Sequence, residues 1–530
     1  MNVHRSLRFL ASVAAVVALA GCASEEGSDA TAGDEDDLTS LTARQRALMF
    51  EGVVYVDKDT PDAKVLETVH AQTKSAFGAL LHSEVAAQTR EFQNVDPASF
   101  KKRRVLVVDA AVPNDAGREM LEVRYTYKDN AVVPVKMARK TALSLALLGQ
   151  GHVPKTKAIV EACTKNDKEA RDDAESGLLW YGFDPQRASC RRAMEREQQT
   201  IDRETGALAD PRTMIPASRA NRVLLPVTMQ LSRADNATRA TYPEYDRLFA
   251  GASEPGVLTL VLLSGRLSHK RVEARKDSGY YEWLAALDVI FAENPDFELK
   301  KIEPNENLST ISAEGKRYTN LGFKDFIQWT VYGRGWPQGM PPSSRDNIAK
   351  TVADKLDMHW VTFEKKVKVS IGGAEAKDLT IRIETLFGAE EDATPHRRGL
   401  KNGDVFIYNG HSYIGEGPLD PAHFKPESFS RGYQLLWFDS CVSYNYYEKD
   451  FFTLKQGGSR ELDLVTNGLE APEYLSGEAQ GYFVNKLIGG SMPSYQTLLA
   501  AAKATDALRV VDGEIDNRFD PNRTPIRIQR

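Results

Sequence analysis

The sequence predicts an α/β protein in which an α+β N-terminal lobe precedes a layered α/β domain. Two observations carry that expectation. Residues 257–263, 404–408, 435–438 and 463–466 are short, nearly continuous apolar runs, the pattern of strands buried on both faces of a sheet. Around them lie helix-length segments at 279–293, 344–357 and 476–503, which suits helices covering a sheet better than a barrel or a bundle. The 42% hydrophobic share of the 530 residues is enough for full cores, and the length predicts two to four domains or lobes.

The lobe is assigned to 40–245. Residues 60–81 read as a helix, and 104–109 and 119–127 have the branched, alternating character of strands. Helical stretches are expected at 136–149, 155–166 and 189–202, and 200–222, rich in Pro, Asp and Gly, reads as an exposed connection. In the segment WYGFDP, 180–185, Trp180 is expected in the core. No paired acids or clustered histidines in the lobe suggest a reaction.

The pattern changes at Gly256, and the layered domain is assigned to 246–530. After the strand at 257–263 come a helix at 279–293, a strand at 297–302, and a helix at 344–357 with Ser343 or Ser344 as its cap. Segments 366–371 and 379–386 alternate around IGGAEAKD as a hairpin or adjacent strands. Three short buried strands and a final helical region at 476–503 complete the domain.

Ahead of the lobe, Arg5 and Arg8 precede an apolar run at 9–20, shorter than the roughly 20 residues that cross a bilayer as a stable helix. The run ends in LAGC, 19–22, which resembles the bacterial lipobox. The resemblance implies a signal peptide at 1–21, a lipid on Cys22 and membrane attachment through it. Ala23 and Ser24 follow without the Asp that retains such proteins in the inner membrane, so the outer membrane of the cell envelope is expected where a host has two. Residues 22–39 are acidic and lack aromatic residues, as a tether does. Loss of Arg5 and Arg8 moves the formal net charge from -6 to -8. With no basic tract, nucleic acid is not an expected partner. For Cys163 and Cys190 a disulfide and two buried thiols fit equally well, which leaves Cys441 as the odd thiol.

Chemistry is concentrated in two blocks, DVFIYNGHS at 404–412 and LLWFDSCVS at 435–443. His411 and Cys441 are 30 positions apart, so only neighbouring strands bring them together. Groups at the carboxyl ends of such strands converge where α/β sheets bind ligands, and a histidine there can activate a thiol and later protonate a leaving amine. The blocks resemble the clan of caspase-like cysteine peptidases that includes gingipains, clostripain, legumain and separase. In that clan one hydrophobic strand ends in a catalytic His, usually followed by Gly, and a later one ends in a small residue and the catalytic Cys.

The resemblance implies a caspase-like layered sheet beginning near Val257, with His411 as general acid/base, Ser440 as the small residue and Cys441 as nucleophile of a Cys-His dyad. It implies an endopeptidase acting on a protein or peptide substrate without a cofactor. It covers about 40 residues. Ser412 departs from the pattern, because the usual Gly lets the backbone approach the bound carbonyl. The alternative is a catalytically inactive caspase-like envelope lipoprotein that binds or scaffolds. Asp439 is expected as a strand-end surface acid, Asn409 as a turn residue and Tyr444, Tyr446 and Tyr447 as core cover. Glu416, Glu448 and Asp450 are expected in solvent, and loops 412–418 and 441–450 around a pocket. No HExxH, CxxC, GxGxxG or GxxxxGK[ST] pattern supports a metal or nucleotide.

Overall fold

The computed structural model describes residues 38–164, 167–232, 236–268, 272–313, 315–390 and 392–529. The expected signal segment, Cys22 and the tether up to residue 37 lie outside the described residues. The architecture is mixed α/β, with two large sheets flanked by helices.

The first sheet has seven strands. At its centre two long strands, Ala43–Asp57 and Arg118–Pro134, pair antiparallel along their whole shared length. They alternate buried and exposed positions over much of that length, the period-two pattern of a sheet covered on one side. The helix expected at 136–149 is instead a short turn of 3-10 helix, Val135–Met137, and a strand, Ala142–Leu148. Leu and Ala favour a helix in isolation. Here the whole strand pairs with Leu224–Leu231, and tertiary pairing overrides propensity. The expected connection at 200–222 is also largely structured: helix Ala188–Gly206 runs into it, and Met214–Pro216 forms a strand beside Lys101–Val108.

The second sheet has nine strands. Its parallel centre runs Leu462–Asn467, Gln434–Asp439, Val405–Asn409, Val257–Ser264, Lys377–Phe387. Antiparallel strands flank it: Arg509–Asp512 on one side, Trp360–Ile371 on the other, the latter extended by Glu298–Glu303 and Ile526–Gln529. The apolar runs divide by alternation. Leu258, Leu260, Leu262, Ile407, Leu435 and Trp437 face a core shared with helices Ser278–Glu293 and Ser476–Ile488. Val261, Leu263, Phe406, Tyr408, Leu436 and Phe438 join the opposite core, which also holds Phe50, Val54, Phe77 and Phe92 of the N-terminal lobe. The lobe is therefore part of the covering of the second sheet.

Ser344 lies inside the first turn of helix Pro342–Leu356 and makes no cap, because Pro341 and Pro342 start that helix. The final helical region breaks into Ser476–Ile488 and Tyr495–Ala501 around Pro493. At the outer edge, Thr39 exchanges both backbone hydrogen bonds with Val511, at 3.0 and 2.8 Å. Among the described residues no helix is long and apolar enough to cross a membrane.

Candidate active site

Strands Val405–Asn409 and Gln434–Asp439 are adjacent and parallel, with Tyr408 opposite Phe438 and Asn409 opposite Asp439. Both are buried throughout. His411 and Cys441 each follow two residues after that last matched pair, so both lie just past the carboxyl ends of neighbouring strands.

On the histidine side the third parallel strand, Val257–Ser264, supplies an orienting group from the loop after it. The His411 Nε2–H donates to the Leu267 carbonyl at 2.9 Å. A carbonyl only accepts, so the neutral ring carries its proton on Nε2 and its lone pair on Nδ1. The Tyr408 hydroxyl donates to the His411 carbonyl at 3.0 Å and the Tyr447 hydroxyl to the Ser412 carbonyl at 2.8 Å. Gly410 makes the first of these contacts feasible, since a Cβ there would collide with the Tyr408 phenol. Tyr413 packs edge-on to the imidazole at 5.6 Å, and Tyr413 and Ile414 have φ of +50° and +56°.

The cysteine side stands on buried charge. Asp439, expected at the surface, is 1% exposed. It accepts hydrogen bonds from Asn467 at 2.9 Å, Arg509 at 3.1 Å and Gln480 at 3.0 Å. Arg509 is equally buried and lies over the Trp437 ring at 4.5 Å. The acid cannot face solvent because helix Ser476–Ile488 and strand Arg509–Asp512 close over it. Cys441 is half-buried, with its Sγ 4.0 Å from the Ala471 carbonyl. Burial pushes its thiol up to about 11, and the Glu470 and Asp439 carboxylates push the same way. At neutral pH the group is a thiol and a poor nucleophile. Val442 follows with φ of +51°, its N–H held by the Leu469 carbonyl at 3.0 Å. A β-branched residue is rarely found there, and such strain gathers at functional sites.

Other expectations change. Glu448 is fully buried rather than solvated, and Asp450 is half-buried. Trp180 is half-buried against the shared core, while Tyr444, Tyr446 and Tyr447 are at most 3% exposed. Asn409 is 5% exposed and ends its strand. The start of helix Ser443–Leu454 does border a cleft, of about 350 Å³. Its other wall is Gln88–Gln93 of the N-terminal lobe, not 412–418, and neither His411 nor Cys441 lines it. Cys163 and Cys190 are joined in a disulfide. No cluster of three metal-binding side chains exists among the described residues. Sequence reasoning passed over Leu267, Glu470, Tyr181 and Arg509. Leu267 acts through its carbonyl, which carries no residue-type signal, and the other three lie far in sequence from the groups they touch.

No protein-family model, no curated protein and no solved structure matches the chain.

Proposed function

We propose that the chain is a cysteine endopeptidase with a caspase-like sheet, in which His411 is the general acid/base and Cys441 the nucleophile. The observation that carries this reading is the equal offset of the two residues beyond a matched pair on adjacent parallel strands. The Leu267 carbonyl supports it by holding the imidazole as a third group holds the base of a nucleophilic pair. His411 Nδ1 takes the Cys441 proton as the sulfur attacks the peptide carbonyl. The tetrahedral intermediate collapses to a thioester, and the amine leaves with the proton from His411. Water, deprotonated by His411, then releases the acid and restores the thiol. The backbone N–H of Ser412 is the donor proposed for the oxyanion.

A second reading, an inactive member of the same fold that binds or scaffolds in the cell envelope, is favoured by the high thiol pKa and by Ser412. In both readings a lipid on Cys22 anchors the chain, which mass analysis of the native N-terminus tests. The deciding experiment is cleavage of a peptide library by the wild type, Cys441→Ala and His411→Ala. Turnover that disappears in both variants supports the dyad. Equal turnover in all three overturns it.

A further inference from the structure

We infer that the N-terminal lobe carries a latch, formed by Tyr181 and Glu470, that keeps Cys441 covered in the resting protein. Its regulatory meaning rests on the peptidase reading; its existence does not.

Tyr181 sits with Trp180 on the short helix Leu179–Gly182. Its ring stacks on Phe77 at 5.3 Å, and Phe77 stacks in turn on Tyr446 at 5.8 Å, five residues beyond Cys441. Trp180 packs edge-on to Phe77 at 5.4 Å and lies under the Lys74 ammonium at 4.4 Å. A Cβ at Gly78, on helix Ala76–Leu81, would collide with the Tyr181 carbonyl, so that helix and the Tyr181 helix are seated as closely as backbone allows. The disulfide between Cys163 and Cys190 brackets the Tyr181 helix and limits how far it can move from the lobe.

From this seat the Tyr181 hydroxyl reaches out of the lobe and donates to Glu470 at 3.0 Å. Glu470 lies between a residue that bonds the neighbour of the candidate nucleophile and one that faces the nucleophile itself. The Leu469 carbonyl accepts from Val442 N–H, and the Ala471 carbonyl faces the Cys441 sulfur. Residues 469–471 are thus held against Cys441 on one side and by Tyr181 on the other. The ends of the loop have fastenings of their own, where the Leu469 N–H donates to the Ala507 carbonyl at 2.9 Å and Glu473 accepts from the Ser278 hydroxyl at 3.0 Å, so Tyr181 governs the stretch between them. The carboxylates that act on the thiol are Glu470 and Asp439. Asp439 is sealed with Arg509, and Glu470 is exposed apart from its tyrosine. Letting go of Tyr181 therefore loosens the cover and frees the one nearby carboxylate that can turn away.

The test is alkylation of Cys441 in the full chain, followed by intact mass from pH 7 to 9.5, with iodoacetamide and with the bulkier N-phenylmaleimide. Tyr181→Phe keeps the ring stack and removes only the hydroxyl, so it is the variant least able to disturb folding. It is expected to react several-fold faster than wild type. Glu470→Gln removes the charge as well, and one pKa unit off the thiol gives roughly tenfold more thiolate but only about a threefold gain in rate, because the thiolate is also less nucleophilic. Both variants should gain more with the maleimide than with iodoacetamide, because a cover hinders bulk whereas a charge affects both reagents alike. Equal rates for all three proteins with both reagents overturn the latch. Faster alkylation in the variants without peptide cleavage by any of the proteins leaves the latch standing and removes the peptidase reading. Dyad-dependent cleavage with unchanged alkylation does the reverse.

Discussion

At the end of strand Val405–Asn409, His411 is held by neutral hydrogen bonds to backbone carbonyls from Tyr408, Tyr447 and its own ring. One strand over, Cys441 follows a buried ion pair, Asp439 with Arg509, tied into Asn467 and Gln480. A neutral hydrogen bond is worth about 1 kcal/mol net, whereas breaking a buried pair on one side costs about 3–5 kcal/mol. The cysteine end is therefore the fixed reference, and the histidine end is the half that can adjust. Burial keeps the Cys441 thiol protonated, so a nucleophilic role for it would begin with a change of its surroundings.

The largest expected effect tests the fixed half. Arg509→Met strips the buried Asp439 of its counter-ion and leaves it only the Asn467 and Gln480 amides, and it should lower unfolding free energy by about 3–5 kcal/mol in denaturant titrations. A loss under about 1 kcal/mol would erase the contrast between the two ends. The next effect concerns pH. Burial pushes Asp463, on the strand beside the cysteine strand, up to about 7, and Asp404, at the start of the histidine strand, up to about 6. A carboxyl with a raised folded pKa binds more protons folded than unfolded, so stability is fully present below its unfolded pKa and falls as pH rises towards the folded one. Wild-type stability should drop by a few kcal/mol between about pH 4 and 7. Asp463→Asn should flatten the curve most between about pH 5 and 6, and an unchanged slope there would remove Asp463 as its source. The smallest effect is on the adjustable half. Tyr447→Phe deletes the bond to the Ser412 carbonyl and should cost about 1 kcal/mol. A cost near that of Arg509→Met would make the histidine end as rigid as its neighbour.

The sequence showed where the second sheet lies because a strand buried on both faces is apolar at nearly every position, as VLTLVLL and LLWF are. It misread ALSLALL, where helix-forming residues make a strand because Leu224–Leu231 is there to pair with. Strands Arg509–Asp512 and Ile526–Gln529 went unassigned for a similar reason: four residues are too few to display a period. At the site, residue type pointed to His411 and Cys441. It could not reveal their surroundings, because Asp439 looks like any acid after a strand until Arg509, seventy positions on, is folded against it. Nor did anything near Cys441 in sequence announce that the N-terminal lobe reaches it through Tyr181.

The bridge between Thr39 and Val511 has a consequence for how the protein behaves among its own kind. Arg509–Asp512 is the outermost strand on its side of the large sheet, and a bare outer strand is a template on which another chain can polymerise. Thr39 occupies the N–H and the carbonyl of Val511, and the Ser40 hydroxyl takes the Arg509 carbonyl at 2.6 Å. The chain thus seals its own rim with the residues that lead into the lobe. Clipping the protein directly after Ser40 would spare strand Ala43–Asp57 and still expose a sticky border, so such a fragment should self-associate more than the longer chain.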